Sequence, residues 1–207
     1  MLASKMVPKY RYENCAVVAL DDGGVMVGAQ IAKELHCIIT LLMSKDITLP
    51  REPKAIAGVT ADGKMAYNRD YSQGEIDEMV GEYRTVIEEE RIERFHEINE
   101  LLGSGGLINR KVLQHMNVIL VSEGLPNTMR LDLALEYLKP IEIDSLIVAL
   151  PLASVPVIDR IHVMADDVYC LSVIDDYLDT DHYYEKNDVP DHKKITDTIE
   201  NIVLHWR

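Results

Sequence analysis

Apolar residues gather in five short unbroken runs: CAVVAL (15–20), CIITLLM (37–43), VILV (118–121), SLIVAL (145–150) and VYCLSV (168–173). Runs that are apolar throughout, without polar alternation, suit strands covered on both faces of a parallel sheet. Between them a spacing of three to four residues predicts helices, carried by Val27, Ile31 and Leu35, by Leu131, Leu135 and Leu138, and by Val157, Ile161 and Met164. Strand and helix alternate, so the pattern predicts an α/β fold with a doubly wound, mostly parallel sheet. Ligands of such sheets bind beyond the carboxyl ends of the strands. That rule points to DDGG, SKDITLP, SEGLPNT, PLAS and IDDYLD, each of which directly follows an expected strand.

One segment interrupts the alternation. From Glu75 to Leu102 the chain is highly charged, yet Ile76, Met79, Val80, Tyr83, Val86 and Ile87 keep helical spacing. This predicts one inserted amphipathic helix, solvated on one side and packed by a single apolar stripe, with GSGG (103–106) as its exit. The end of the chain, KKITDTIENIVLHW, predicts a closing helix with Ile195, Ile199, Ile202 and Trp206 inward. A chain of 207 residues suits one domain, residues 1–207, with a helical insertion at about 72–106.

Charge narrows the partners. Lys and Arg total 21 against 35 Asp and Glu, a formal charge of -14 that repels polyanions. Nucleic acid and anionic membrane are therefore not expected partners. Cys15, Cys37 and Cys170 form no CxxC pair and lie in apolar runs, which suits a reducing cytoplasm. No charged-then-apolar leader and no apolar run of about 20 residues is present, so a soluble, intracellular protein is expected.

A phosphate beyond a strand is held by the N–H groups of a tight glycine-bearing turn, by the next helix N-terminus and by hydroxyls. Gly124, Asn127 and Thr128 supply part of that set, while Asn or Thr there equally makes a helix cap. Both readings stay open on the residues alone. Gly23, Gly24 and Gly28 do not form GxGxxG, and Asp21 and Asp22 oppose a pyrophosphate. His162, Asp166 and Asp167 read as a solvated helix end, and Ser154 before Pro156 reads as a cap.

The stretch VILVSEG, together with the earlier VVALDDGGVMVGAQIAKEL, resembles the type I phosphoribosyltransferases, and a bacterial group of that family most closely. The resemblance spans almost the whole chain, because AIAGVTADG (55–63), the charged helix, VALPLAS (148–154), ADDVYCL (165–171), Tyr183–Tyr184 and the final LHW fall in order. It implies the fold of that family. It also implies a site for phosphoribosyl pyrophosphate (PRPP), with two adjacent acids on the ribose hydroxyls, then Gly, an apolar residue, a small residue and Thr-Gly around the 5′-phosphate. Here those positions are Ser122, Glu123, Gly124, Leu125, Pro126, Asn127 and Thr128. One acid and the second glycine are missing, and Pro126 brings no N–H.

Other family positions differ in the same direction. The family's Pro-Arg-Gly-Gly pyrophosphate turn is here Asp21, Asp22, Gly23 and Gly24, which replaces a bidentate cation by a carboxylate. Its Arg-Lys pair is Ser44 and Lys45, so Lys45 alone is left to meet a phosphate. Tyr177 falls where the family stacks an aromatic on the nucleobase, with Asp181 at the following glycine and Lys186 at the nearby acid. Two functions follow. One is a phosphoribosyltransferase-like protein with a degenerate PRPP site and a binding or regulatory role, without efficient catalysis. The other is an active enzyme that transfers the ribosyl phosphate of PRPP to a nitrogenous base, with Glu123 near the ribose and with Mg²⁺ and Lys45 on the leaving pyrophosphate. The resemblance further implies a small phosphorylated ligand and a homo-oligomer.

Overall fold

Five parallel strands form the main sheet of the computed structural model, which describes residues 1–102, 110–186 and 188–204. In chain order the elements are α1 (Leu2–Tyr10), β1 (Cys15–Ala19), α2 (Asp22–Leu35), β2 (Ile38–Leu41), β3 (Ser44–Ile47), β4 (Ala57–Thr60), β5 (Met65–Tyr67), α3 (Gln73–Glu82), α4 (Arg84–Leu102), β6 (Asn117–Val121), α5 (Met129–Leu138), β7 (Ser145–Ser154), α6 (Val155–Met164), β8 (Asp167–Ile174) and α7 (His192–Leu204). The chain divides into two compact units. The first holds Met1–Leu41, Asn109–Pro126 and Ile141–Arg207, and the second holds Leu42–Ile108 and Asn127–Pro140.

In the first unit the strand order is β2-β1-β6-β7-β8, with every pairing parallel. All five expected apolar runs are strands of this sheet, and the fully buried residues of β1 show why they lack alternation. The chain winds from β1 to β2 in one direction and from β7 to β8 in the other. Right-handed crossovers put α2 and α6 on opposite faces, which is the doubly wound arrangement. Ile31 and Leu35 of α2 and Val157 and Ile161 of α6 are buried as their spacing predicts. Helix α1, which the apolar runs did not announce, buries Leu2, Met6 and Tyr10 at four-residue intervals. The Asp167 carboxylate at the start of β8 accepts from Lys9 and from the Tyr10 hydroxyl, which fixes the end of α1. The Lys9 contact holds the Asp167 carboxyl below its usual range.

The second unit contains an antiparallel sheet, β3-β4-β5, whose core gathers Ile47, Leu49, Ile56, Val59, Ile87 and Ile98. Two expectations are corrected here. SKDITLP is not a loop: Ser44–Ile47 is a strand that pairs Lys45 with Val59. Its run of Ser, Lys and Asp hid it, because an edge strand buries little and needs few apolar residues. The charged insertion is two helices and not one. Ser72 opens α3 through a capping box with Glu75, and the chain breaks at Tyr83 (φ -108, ψ 23) before α4. The expected apolar stripe survives the break, with Ile76 and Ile87 buried and Met79, Val80, Tyr83 and Val86 half-buried.

In the first unit PLAS is likewise not a loop, since β7 runs through Ser154 with Ala153 paired to Val173. Leu125 also pairs with Ala153, so that end of β7 has a neighbour on each side. In the closing helix α7, Ile195 and Ile202 are buried and Ile199 is half-buried. GSGG (103–106) and Trp206 lie outside the described residues. Among the described residues no helix is long and apolar enough to cross a membrane. Burial pushes the Cys15 and Cys37 thiols up to about 11 and about 12.

Ile119, in the middle of β6, is fully buried. Ile119→Ala should lower the free energy of unfolding by about 2–5 kcal/mol, read from urea denaturation.

Candidate functional site

Strand order locates the site. The chain leaves β1 toward one edge of the sheet and leaves β6 toward the other, so the carboxyl ends of these neighbours form the switch point at which open α/β sheets bind ligands. The β1–β6 register ends with Ala19 opposite Val121, and the Leu20 N–H donates to the Val121 carbonyl at 2.8 Å. Asp21 and Ser122 therefore emerge side by side.

Asp21 is the N-cap of α2. Its Oδ1 accepts from the Gly24 N–H at 2.5 Å, and its Oδ2 accepts from the Ser122 hydroxyl at 2.5 Å. Ser122 is fully buried, and its Oγ also accepts from the Gly124 N–H at 3.2 Å. The adjacent glycines are explained by close approaches. A Cβ at Gly23 would lie 2.1 Å from the Glu123 carboxyl, and one at Gly24 would lie 2.8 Å from both Asp21 Oδ1 and the Val121 carbonyl. Asp22, at the first turn of α2, meets His192 Nδ1 of α7 at 3.2 Å.

The turn after β6 continues by pairing with β7. Leu125 donates its N–H to the Leu152 carbonyl at 3.2 Å and accepts from the Ser154 N–H at 3.0 Å. Pro126 follows with no N–H to offer. The amides of Gly124 and Leu125 thus have partners inside the protein. Over this turn lies the segment after β8. A Cβ at Gly124 would lie 2.2 Å from Tyr177 Oη and 2.9 Å from Thr180 Cγ2. Tyr184 donates its hydroxyl to the Glu123 carbonyl at 2.7 Å. Burial raises the Tyr177 phenol and pushes the Tyr184 phenol up to about 12, so both are neutral donors near pH 7. Of the residues singled out from sequence, the first unit brings together Asp21, Gly23, Gly24, Ser122, Glu123, Gly124 and Tyr177. Thr180 and His192 carried no signal in the sequence beyond being polar and near a helix start.

The remaining candidates belong to the second unit. Asn127 Oδ1 accepts from the Met129 N–H at 3.1 Å, and the Thr128 hydroxyl donates to Asp132 at 3.0 Å. Arg69 pairs with the same buried Asp132 carboxylate at 3.0 Å. The Asn127 contact is a side-chain turn at the start of α5, where Thr128 is the N-cap residue and makes no side-chain cap hydrogen bond. Lys45 is paired with Glu97 of α4 at 2.6 Å, and Glu97 in turn holds Arg94 at 2.8 Å. The Lys45 and Arg94 contacts keep the Glu97 carboxyl below its usual range.

The residues present do not fit a Mg²⁺ ion. Both Asp21 oxygens are hydrogen-bonded, and among the described residues no three His, Cys, Asp or Glu side chains converge on a metal position. His162, Asp166 and Asp167 do not converge either: Asp166 accepts from the Leu146 N–H at 2.8 Å, while Asp167 receives Lys9 and Tyr10.

No protein-family model matches the chain, and no curated protein matches it significantly. Solved structures do. The crystal structure of TT1426 from Thermus thermophilus is similar over 99% of this chain and 93% of that one, with 20% identity and a TM-score of 0.65. A hypothetical protein from Neisseria gonorrhoeae, with bound ppGpp, aligns over 95% and 87% at 12% identity and a TM-score of 0.47. A hypoxanthine phosphoribosyltransferase from Staphylococcus aureus aligns over 84% and 70% at 14% identity and a TM-score of 0.47. At these identities the likeness is one of fold alone, a mostly parallel α/β fold shared with the TT1426 structure.

The Asp21–Ser122 contact yields a stability cycle. Asp21→Ala should cost about 0.5–2 kcal/mol for the lost cap, with about 0.5–1.5 kcal/mol more for the lost Ser122 bond, since the Ser122 hydroxyl keeps the Gly124 carbonyl at 3.1 Å as an acceptor. Asp21→Ala with Ser122→Ala should lose less than the sum of the single changes, measured by denaturation of all four proteins.

Proposed function

We propose that this phosphoribosyltransferase-like chain carries a degenerate PRPP site and acts as a binding or regulatory component without efficient phosphoribosyl transfer. The observation that carries this reading is the state of the turn after β6. A phosphate cradle needs free amides, and here the Gly124 amide donates to Ser122, the Leu125 amide donates to Leu152, and Pro126 has none. The α2 N-terminus, the other natural anion position, already has the Asp21 carboxylate as its cap. The Glu123 carboxyl against Gly23 adds negative charge where a pyrophosphate would need donors.

The pairing of Lys45 with Glu97 supports the same reading, because the cation expected to meet a phosphate is neutralised within its own unit. The Asn127 contact supports the turn side of the two readings those residues allowed, and the Thr128 hydroxyl is taken by Asp132. A cytoplasmic setting, a small ligand held in the altered loop and self-association complete the proposal. The three free cysteines are consistent with a reducing compartment.

Calorimetric titration of PRPP with Mg²⁺ tests it. No saturable heat is expected up to millimolar ligand. Ser122→Asp, Asn127→Thr and Thr128→Gly combined with Asp22→Arg should bring binding into the measurable range, a gain of about tenfold or more. Saturable micromolar binding by the unaltered protein, with pyrophosphate release that Glu123→Ala abolishes, would replace this reading with the active transferase.

A further inference from the structure

The main sheet brings together two cysteines that are well separated in the sequence. Strands β1 and β2 are parallel neighbours, with Ala16 opposite Ile38 and Val17 opposite Ile39. Extending that register by one residue sets Cys15, the first residue of β1, opposite Cys37, the residue before β2. Their side chains share a face. A Cβ at Gly28 of α2 would lie 2.9 Å from Val17 Cγ1 and 2.9 Å from Ile39 Cδ1, so these register partners both point at α2. Cys15 and Cys37 stand two residues earlier on the same strands, and alternate residues of a strand point to one side. Burial agrees, since Cys37, Ile39 and Leu41 are buried while Ile38 and Thr40 are half-buried.

The separation suits a covalent bond. Neighbouring strands lie about 4.7–4.9 Å apart, inside the Cα separation of about 4.4–6.8 Å that a disulfide spans. The two sulfurs are close enough to interact, because the Cys37 thiol is raised first by burial and then by the Cys15 thiol. Both cysteines sit one residue inside the rim of the sheet, after the exposed Asn14 and His36, and β2 is the edge strand. Opening of the chain at this rim is what brings a reagent to the sulfurs. The rim is at the opposite end of the strands from the Gly124 turn, so the pair is independent of what that turn binds.

We propose that Cys15 and Cys37 are a redox-closing pair, which a small disulfide of the glutathione class oxidises to a bond tying β1 to β2. One thiolate attacks a sulfur of the oxidant, forming a mixed disulfide and releasing one small thiol. The other thiolate then attacks the protein sulfur of that mixed disulfide and releases the second. Two electrons and two protons thus pass from the cysteines to the oxidant, which leaves as two thiols. In a reducing compartment the reverse exchange keeps the pair open, so the bond forms when the small-thiol pool is oxidised. The loop it closes holds the whole of α2, from its Asp21 N-cap to its His36 C-cap.

Oxidised glutathione added to the folded full-length chain tests the pair, in a Cys170→Ser background that leaves these two thiols alone. The protein should lose two hydrogens by intact mass and both thiols titratable in denaturant. Proteolysis should yield a peptide pair linked through Cys15 and Cys37, and dithiothreitol should reverse all three changes. Closure should speed up close to tenfold per pH unit from about pH 6 to pH 8, because the thiolate is the attacking species. The urea midpoint of the oxidised chain should move upward, since the bond constrains the unfolded state. Oxidant should leave the midpoint of Cys37→Ser in the same background unmoved. The proposal is overturned if both thiols stay titratable, if each carries glutathione without closing, or if closure fails to raise the midpoint, which would mean that the native sheet does not accept the bond.

Discussion

The carboxylate of Asp21 joins the two halves of the switch point. One oxygen completes the first turn of α2 and the other receives the hydroxyl of Ser122, so the end of β1 and the end of β6 share one group. A helix N-terminus leaves amides without partners, and a carboxylate there meets both the hydrogen-bonding need and the dipole. In a fold whose ligand position lies at this crevice, the choice of capping group decides what else can bind. An internal anion leaves little for an external one.

The neighbouring contacts follow from that choice. With Ser122 Oγ donating to Asp21, its lone pairs face the Gly124 amide, which closes the turn on itself. Leu125 then extends beside β7 as a short added pairing, opposite the β8 pairing that carries β7 past its apolar core through Ser154. The turn is thus a continuation of the sheet more than a loop standing clear of it. Such a turn is well ordered and poor in free donors.

Much of the first unit was legible in the sequence because parallel strands advertise themselves. Cys15–Ala19 and Asn117–Val121 are apolar because β1 is buried throughout and β6 nearly so, and flanking turn residues mark such short runs as strands. The antiparallel sheet of the second unit was not legible, since Ser44–Ile47 is mostly half-exposed and polar and Met65–Tyr67 spans only three residues. The break at Tyr83 was hidden by an apolar stripe that continues across it. For the candidate site, topology pointed to the neighbourhood of Asp21, Glu123 and Gly124, while their partners depend on side-chain directions that spacing does not encode. The Lys45–Glu97 pair is the clearest case: the residues are far apart in the chain, and each reads alone as an available charge.

Glycine is where the two levels diverge most. A glycine-bearing turn between a strand and a helix signals a phosphate loop because a missing Cβ allows an oxyanion close to the backbone. The same space serves any group that must come equally close. Here Gly23 admits the carboxyl of Glu123, Gly24 admits the Asp21 carboxylate and the Val121 carbonyl, and Gly124 admits the phenol of Tyr177. Two of these four visitors are carboxylates, one is a backbone carbonyl and one is a phenol, and all bring oxygen, as the phosphate and hydroxyls of a phosphorylated sugar would. The glycines therefore record close approach by oxygen, and the composition of the turn is the same whether that oxygen arrives on a ligand or on the chain itself. What separates the cases is the partner of each amide, and at Gly124 and Leu125 that partner is the protein.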